Sequence, residues 1–172
     1  MRIIAGEHRG RRIAAPAGTE TRPTSDFVRE AAFNLIGPVV GASVLDLYAG
    51  SGALGLEALS RGAARCVFVD SSREACRTIA ANLELLGLTA TVLRQDAERA
   101  LAADPGPYQL VLADPPYAFA AYERLAAPLV RLLDRDGLAV LQTPARREPA
   151  LPGLRVRTSR RYGSARLTLF EP

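Results

Sequence analysis

The chain has 172 residues, 22 basic and 18 acidic, for a formal charge of +4. That length suits one domain, able to bury roughly 70% of its unfolded surface. No apolar run approaches the roughly 18 residues of a membrane span, and the early Arg2, Arg9, Arg11 and Arg12 precede no apolar stretch of a secretory signal. A cytoplasmic location is therefore expected. Cys66 and Cys76 have no metal-type spacing, so two buried free thiols and no metal are expected.

In chain order, Arg2–Ala5 and Arg11–Ala15 are β-like runs around Gly6 and Gly10, a hairpin or loose arm. Pro16–Pro23 reads as loop. Thr24 or Ser25 caps a helix through Ile36, stopped by Gly37-Pro38. Strand and helix then alternate. Strands are expected at Val44–Leu47, Cys66–Val69, Ala90–Leu93, Leu110–Ala113 and Leu138–Gln142. Helices are expected at Ser51–Arg61, Ser71–Leu86 and Ala118–Leu133, the last kinked or broken at Pro128. Leu154–Thr158 and Ala165–Phe170 close the chain as an antiparallel pair around Arg160-Arg161-Tyr162-Gly163. The alternation predicts a doubly wound α/β sheet: one domain over 1–172, with an arm and helix over 1–40 and a core over 41–172.

The turn after the first strand carries the first chemistry. Gly50-Ser51-Gly52-Ala53-Leu54-Gly55 matches G-x-G-x-x-G, and Asp70 follows Gly50 by twenty residues. This is the dinucleotide fingerprint with its ribose-binding acid, and NAD is a rival the glycines alone do not reject. Asp46 shifts the balance: it would repel a pyrophosphate but suits the ammonium group of an amino-acid-like cofactor. Asp96, after the third strand, can accept from an adenine amine. S-adenosylmethionine needs this set, with Asp46, Tyr48, Ala49, Gly50, Ser51 and Gly52 around its amino-acid arm. Asp70 and Ser71 then serve the ribose, and Asp96 and Ala97 the adenine. Helix capping by Asp70 and Asp96 is the plainer reading, and it is compatible with ligand binding.

Leu110–Tyr117 reads Leu-Val-Leu-Ala-Asp-Pro-Pro-Tyr. A buried strand runs into a stiff corner, because proline fixes φ and donates no hydrogen bond. The corner sets Asp114, the Pro115 carbonyl and the Tyr117 ring at the carboxyl edge of the sheet, where open α/β folds bind ligands. Two acceptors beside a flat ring suit a planar group bearing an NH2. Asp114 also borders the cofactor. For Tyr117 the bland alternative is a core aromatic.

Charge is uneven. Residues 1–40 hold six arginines against four acids, 41–144 nine against twelve, and 145–172 seven against two. Basic ends around an acidic centre suit a polyanion, although a solvated face explains them equally well.

These residues resemble a family. Asp46–Gly52 with Asp114–Tyr117 is similar to Rossmann-like class I methyltransferases acting on amines. Further motifs resemble the bacterial RsmD-type methyltransferases of 16S ribosomal RNA: Met1–Gly6 with Arg9-Gly10-Arg11, Arg22-Pro23-Thr24 with Val28-Arg29-Glu30, Phe33-Asn34, Gly55–Gly62, Asn82-Leu83 and Tyr162-Gly163. The resemblance spans nearly the whole chain; only Pro144–Gly153 lacks a clear match. It implies a mostly parallel seven-stranded sheet with an antiparallel last strand, and an N-terminal hairpin arm. It implies methyl transfer from S-adenosylmethionine to the exocyclic N2 of one guanine in 16S rRNA, within an assembled or partly assembled small subunit. Asp114, Pro115 and Tyr117 would handle the guanine. Arg2, His8, Arg9, Arg11, Arg12, Arg22, Arg29, Arg160 and Arg161 (with Arg166) would hold the RNA, and the enzyme would be a monomer. Adenine-N6 methylation is the alternative, because adenine also offers an exocyclic NH2.

Overall fold

A computed structural model describes residues 1–16 and 25–172. Arg22, Thr24 and most of the expected Pro16–Pro23 loop lie outside the described residues. Seven strands form one sheet: β1 Ser43–Leu47, β2 Arg65–Asp70, β3 Thr91–Arg94, β4 Tyr108–Ala113, β5 Leu133–Pro144, β6 Arg155–Tyr162 and β7 Ala165–Glu171. Their order is β3-β2-β1-β4-β5-β7-β6. β1 to β5 pair in parallel, and β7 inserts antiparallel between β5 and β6. β7 is the single reversed strand.

Side-chain alternation along the central strands builds two cores. Val44, Leu110, Leu112 and Val140 face one side, under α1 Asp26–Ile36, α2 Ala53–Ser60, α3 Arg73–Leu86 and the N-terminal arm. Leu45, Leu47, Val111 and Leu141 face the other, under α4 Ala97–Ala103 and α5 Ala126–Leu132. In α3 the buried positions Ala75, Thr78, Ile79, Asn82, Leu83 and Leu86 follow the helical period, and Ser72 caps the first turn through the Ala75 amide. Ser25 caps α1 through the Val28 amide.

The arm is a hairpin with one ladder bridge, Arg2 to Arg12, supported by bonds from Ile3 N to Arg11 O and from Gly10 N to Ile3 O. Buried polar groups fasten it to α2. Glu57, fully buried, accepts from the Ile4 and Ala5 amides at 2.8 and 3.0 Å and from Arg61 Nε at 2.8 Å. Ser60 Oγ donates to Ala5 O and accepts from the His8 amide. A Cβ on Gly6 would sit 1.8 Å from Ser60 O, so only glycine lets the chain pass here. Asn82 of α3 holds the far end, accepting from Ala14 N at 2.8 Å and donating to Ala14 O at 3.0 Å.

Several boundaries differ from expectation, each for a local reason. α2 starts at Ala53, because Gly52 takes the left-handed conformation at its cap. The expected helix over 118–133 divides into a 3-10 turn at Tyr122–Leu125 and α5. Pro128 falls in the first turn of α5, where its missing N–H costs nothing. α4 was not foreseen: its seven residues show too little periodicity, and only Asp96 marks its start. β6 runs through Arg160, Arg161 and Tyr162, which the sequence placed in the turn. A turn of Gly163 and Ser164 suffices, with Gly163 at φ +60°. Cys66 is buried as expected, whereas Cys76 is only half-buried and donates to Asp70 O.

Candidate active site

The sheet order reverses direction between β1 and β4, and that switch point opens a crevice at the carboxyl edge. Register aligns what lies there. Leu47 pairs with Val69 on one side and Ala113 on the other. The next residues of the three strands, Asp70, Tyr48 and Asp114, therefore stand side by side.

The glycine loop is braced from below by carboxylates. Gly50 N donates to Asp70 Oδ2 at 2.8 Å, and Ser72 N donates to Asp70 Oδ1 at 2.8 Å. Gly52, at φ +77°, has no side chain to cap α2. Asp46 supplies the cap instead, accepting from the Gly55 amide at 2.9 Å. Gly55 fits because a Cβ would fall 2.3 Å from the Phe68 ring, so the helix lies close on β2. Tyr48, at φ +56°, occupies a conformation that costs a side-chain-bearing residue roughly 1 kcal/mol or more. Strain of this kind persists where surrounding contacts over-determine it. One such contact is the Phe119 ring, 5.8 Å from that of Tyr48, which itself stands edge-on to Tyr122.

Electrostatics decides which cofactor fits. Burial pushes the Asp46 carboxyl well above the usual carboxylate range; the Gly55 amide pulls it down, and the charges of Asp114 and Asp70 push it up again. Three carboxylates thus share one small volume. The Gly50 and Gly55 amides, which would cradle a pyrophosphate, already meet carboxylate oxygens. A dinucleotide would add negative charge beside Asp46, Asp70 and Asp114. A cationic ligand carrying a sulfonium and an ammonium meets attraction instead. Tyr48, pushed up to about 12 by burial and then by Glu98 and Asp96, places two more acids nearby.

The expected residues sort as follows. Asp114 is half-buried, Pro115 buried, and the Tyr117 ring 55% exposed, which excludes the core-aromatic reading. Ala49, Gly50 and Ser51 are half-buried in the loop, while Ser71 is exposed beside Asp70. Asp96 is exposed and caps α4 through the Arg99 amide, with Ala97 buried behind it. Asp46 is 1% exposed and turned to Gly55, so it acts from beneath the loop rather than facing an ammonium group directly.

Two of the arginines expected to hold RNA are internal. Arg29 is fully buried; its guanidinium donates to Arg2 O and pairs with Asp26 at 3.0 Å, fixing the arm to α1. Arg166 is 5% exposed and pairs with Glu148 at 2.8 Å. A cation closed off in this way cannot meet a phosphate. Arg2, Arg9, Arg11, Arg12, Arg160 and Arg161 are exposed. The arm's tip, with His8 and Arg9, lies against Ser60 at the far end of α2, away from the crevice.

The roles of three residues were not assigned from the sequence. Phe119 carried no signal, being one apolar residue in a loop. Glu57 and Asn82 did carry one, since each is a polar residue on an otherwise apolar helix face. Asn82 also donates to Ser51 O at 3.0 Å, so one amide joins the arm to the cofactor loop.

Comparison with known proteins agrees with this geometry. The model of the family described as Conserved hypothetical protein 95 matches residues 1–171. The Bacillus subtilis protein YlbH is 45% identical over 161 residues, 88% of this chain and 86% of its own length. Ribosomal RNA small subunit methyltransferase D of Escherichia coli K12 is 40% identical over 139 residues, 80% of this chain and 68% of that one. The structure of Escherichia coli yhhF matches with a TM-score of 0.86 at 35% identity, covering 99% of this chain and 96% of that chain. The family model over residues 1–171 and these relatives show that the chain belongs to the RsmD-type family of S-adenosylmethionine-dependent methyltransferases.

Proposed function

We propose that this enzyme methylates the exocyclic N2 of a guanine in 16S ribosomal RNA, in the cytoplasm, on an assembled or partly assembled small subunit. One observation supports the reading: the Asp-Pro-Pro-Tyr corner follows β4, with Asp114 in register beside Tyr48 and the Tyr117 ring exposed.

An aromatic NH2 is a weak nucleophile because its lone pair spreads into the ring. S-adenosylmethionine, when bound, supplies a methyl group already activated by the sulfonium charge. Asp70 and Asp96 would hold its ribose and adenine, and the Tyr48–Gly52 backbone its amino-acid arm. The remaining task is orientation. Asp114 and the Pro115 carbonyl accept the two amine hydrogens, favouring a nitrogen whose lone pair points along the transfer axis; as the methyl passes from sulfur to nitrogen, the surplus proton leaves to Asp114 or to solvent. Tyr117 stacks on a guanine turned out of its helix, a displacement that costs a few kcal/mol. Exposed arginines supply affinity through phosphate contacts rather than sequence reading.

The test is incubation of the enzyme with labelled S-adenosylmethionine and small subunits lacking the mark, followed by mapping of the methyl group. A methyl on guanine N2 is expected; a methyl on adenine N6 or on protein overturns the reading. Replacement of Asp114 by alanine should lower turnover by about 100-fold or more, with cofactor affinity retained in calorimetry.

A further inference from the structure

We infer that Phe27 and Tyr162 form a stacking platform for an unpaired base of the substrate RNA that flanks the target guanine; the inference rests on the rRNA reading above. Phe27, near the start of α1, leaves its ring 64% exposed. It stands edge-on to the Tyr162 ring, with centroids 5.9 Å apart and planes at 71°. Tyr162 is partly buried against the core, which fixes it in place. The result is a braced ring presenting an open apolar surface.

Register places the pair on the catalytic edge. Ala113, Leu141, Thr168 and Ser159 form one row across β4, β5, β7 and β6. Asp114 is one residue beyond that row and Tyr162 three residues beyond it, toward the same end. Three strand spacings separate the two positions, roughly 14 Å across the sheet. That is too far for both to hold one base, so the platform serves a neighbour.

Charge identifies the occupant. Arg160 shares the Tyr162 face of β6, and Arg161 lies between them on the opposite face; both are exposed. An aromatic surface flanked by arginines suits a single-stranded nucleic acid, whose bases stack while its phosphates pair with the cations.

The test measures steady-state transfer to small subunits lacking the mark. Phe27→Ala removes an exposed side chain and should leave thermal stability unchanged. It should raise KM for the particle about tenfold, the scale of one lost base stack. Turnover should stay within about twofold and cofactor affinity should not change, whereas Phe27→Trp should restore KM. A photo-cross-linking residue at position 27 should label RNA within a few nucleotides of the methylated guanine. An unchanged KM in Phe27→Ala, or a cross-link to a ribosomal protein alone, overturns the platform while the rRNA reading stands. Absence of transfer by the unmodified enzyme overturns both.

Discussion

The two arginine-rich ends of this chain look alike in sequence and differ in structure. The N-terminal arm is fastened along its length by buried polar groups: Glu57 holds the Ile4 and Ala5 amides, Ser60 holds residues 5 to 8, and Asn82 clamps Ala14. The C-terminal hairpin pairs β6 with β7 alone, and its outer residues stay in water. Arginines follow the same division. Arg29 and Arg166 act as internal ties, whereas Arg160 and Arg161 remain open to a polyanion. A count of positive charges does not separate these two uses. A buried guanidinium must already have met its partners, because an unpaired charge in the interior is too costly to persist.

Substitutions test the two ends separately. The largest effect is expected at Glu57. Glu57→Ala leaves two arm amides and Arg61 without their acceptor, and should cost about 3 kcal/mol or more in urea unfolding. A loss below about 1 kcal/mol would mean that the arm is not fastened as described.

The next effect concerns Asp46, whose carboxylate is buried as deeply as Glu57 but without an ion pair. Its folded pKa is raised, chiefly by burial, above the unfolded value. The folded state therefore binds the proton more tightly, and wild-type stability falls as pH rises from about 4 toward that folded pKa. Asp46→Asn keeps an oxygen for the Gly55 amide and removes this dependence. Its melting temperature should exceed that of the wild type by an amount that grows as pH rises above about 4. Parallel melting curves at every pH would refute the burial account.

The smallest effect on stability belongs to the open hairpin. The double variant Arg160→Ser, Arg161→Ser should unfold within about 0.5 kcal/mol of the wild type. It should bind rRNA more weakly, and the slope of log affinity against log salt should shrink by about one to two units. An unaltered salt slope would remove these arginines from the RNA surface.

Local patterns made much of this molecule readable. Helix caps at Ser25 and Asp96, the glycine loop and the Asp-Pro-Pro-Tyr corner all act within a few residues, through φ limits and backbone bonds that accompany the residue types. The doubly wound sheet follows from strands and helices in alternation. What stayed hidden depends on distant partners. Glu57 reaches across 53 residues to Ile4, and Asn82 across 68 to Ala14. Pro128 looked like a break within a helix because its place in the first turn depends on where the preceding loop ends.

The strand–helix alternation, the cofactor loop and the stiff corner after β4 are written in the residue order, because each follows from short-range sterics. That Asp46 works from beneath the loop, that Arg29 and Arg166 are internal, and that Phe27 meets Tyr162 emerges on packing. Those outcomes turn on which groups lose their water when the helices close over the sheet, and desolvation is a property of the whole packed chain.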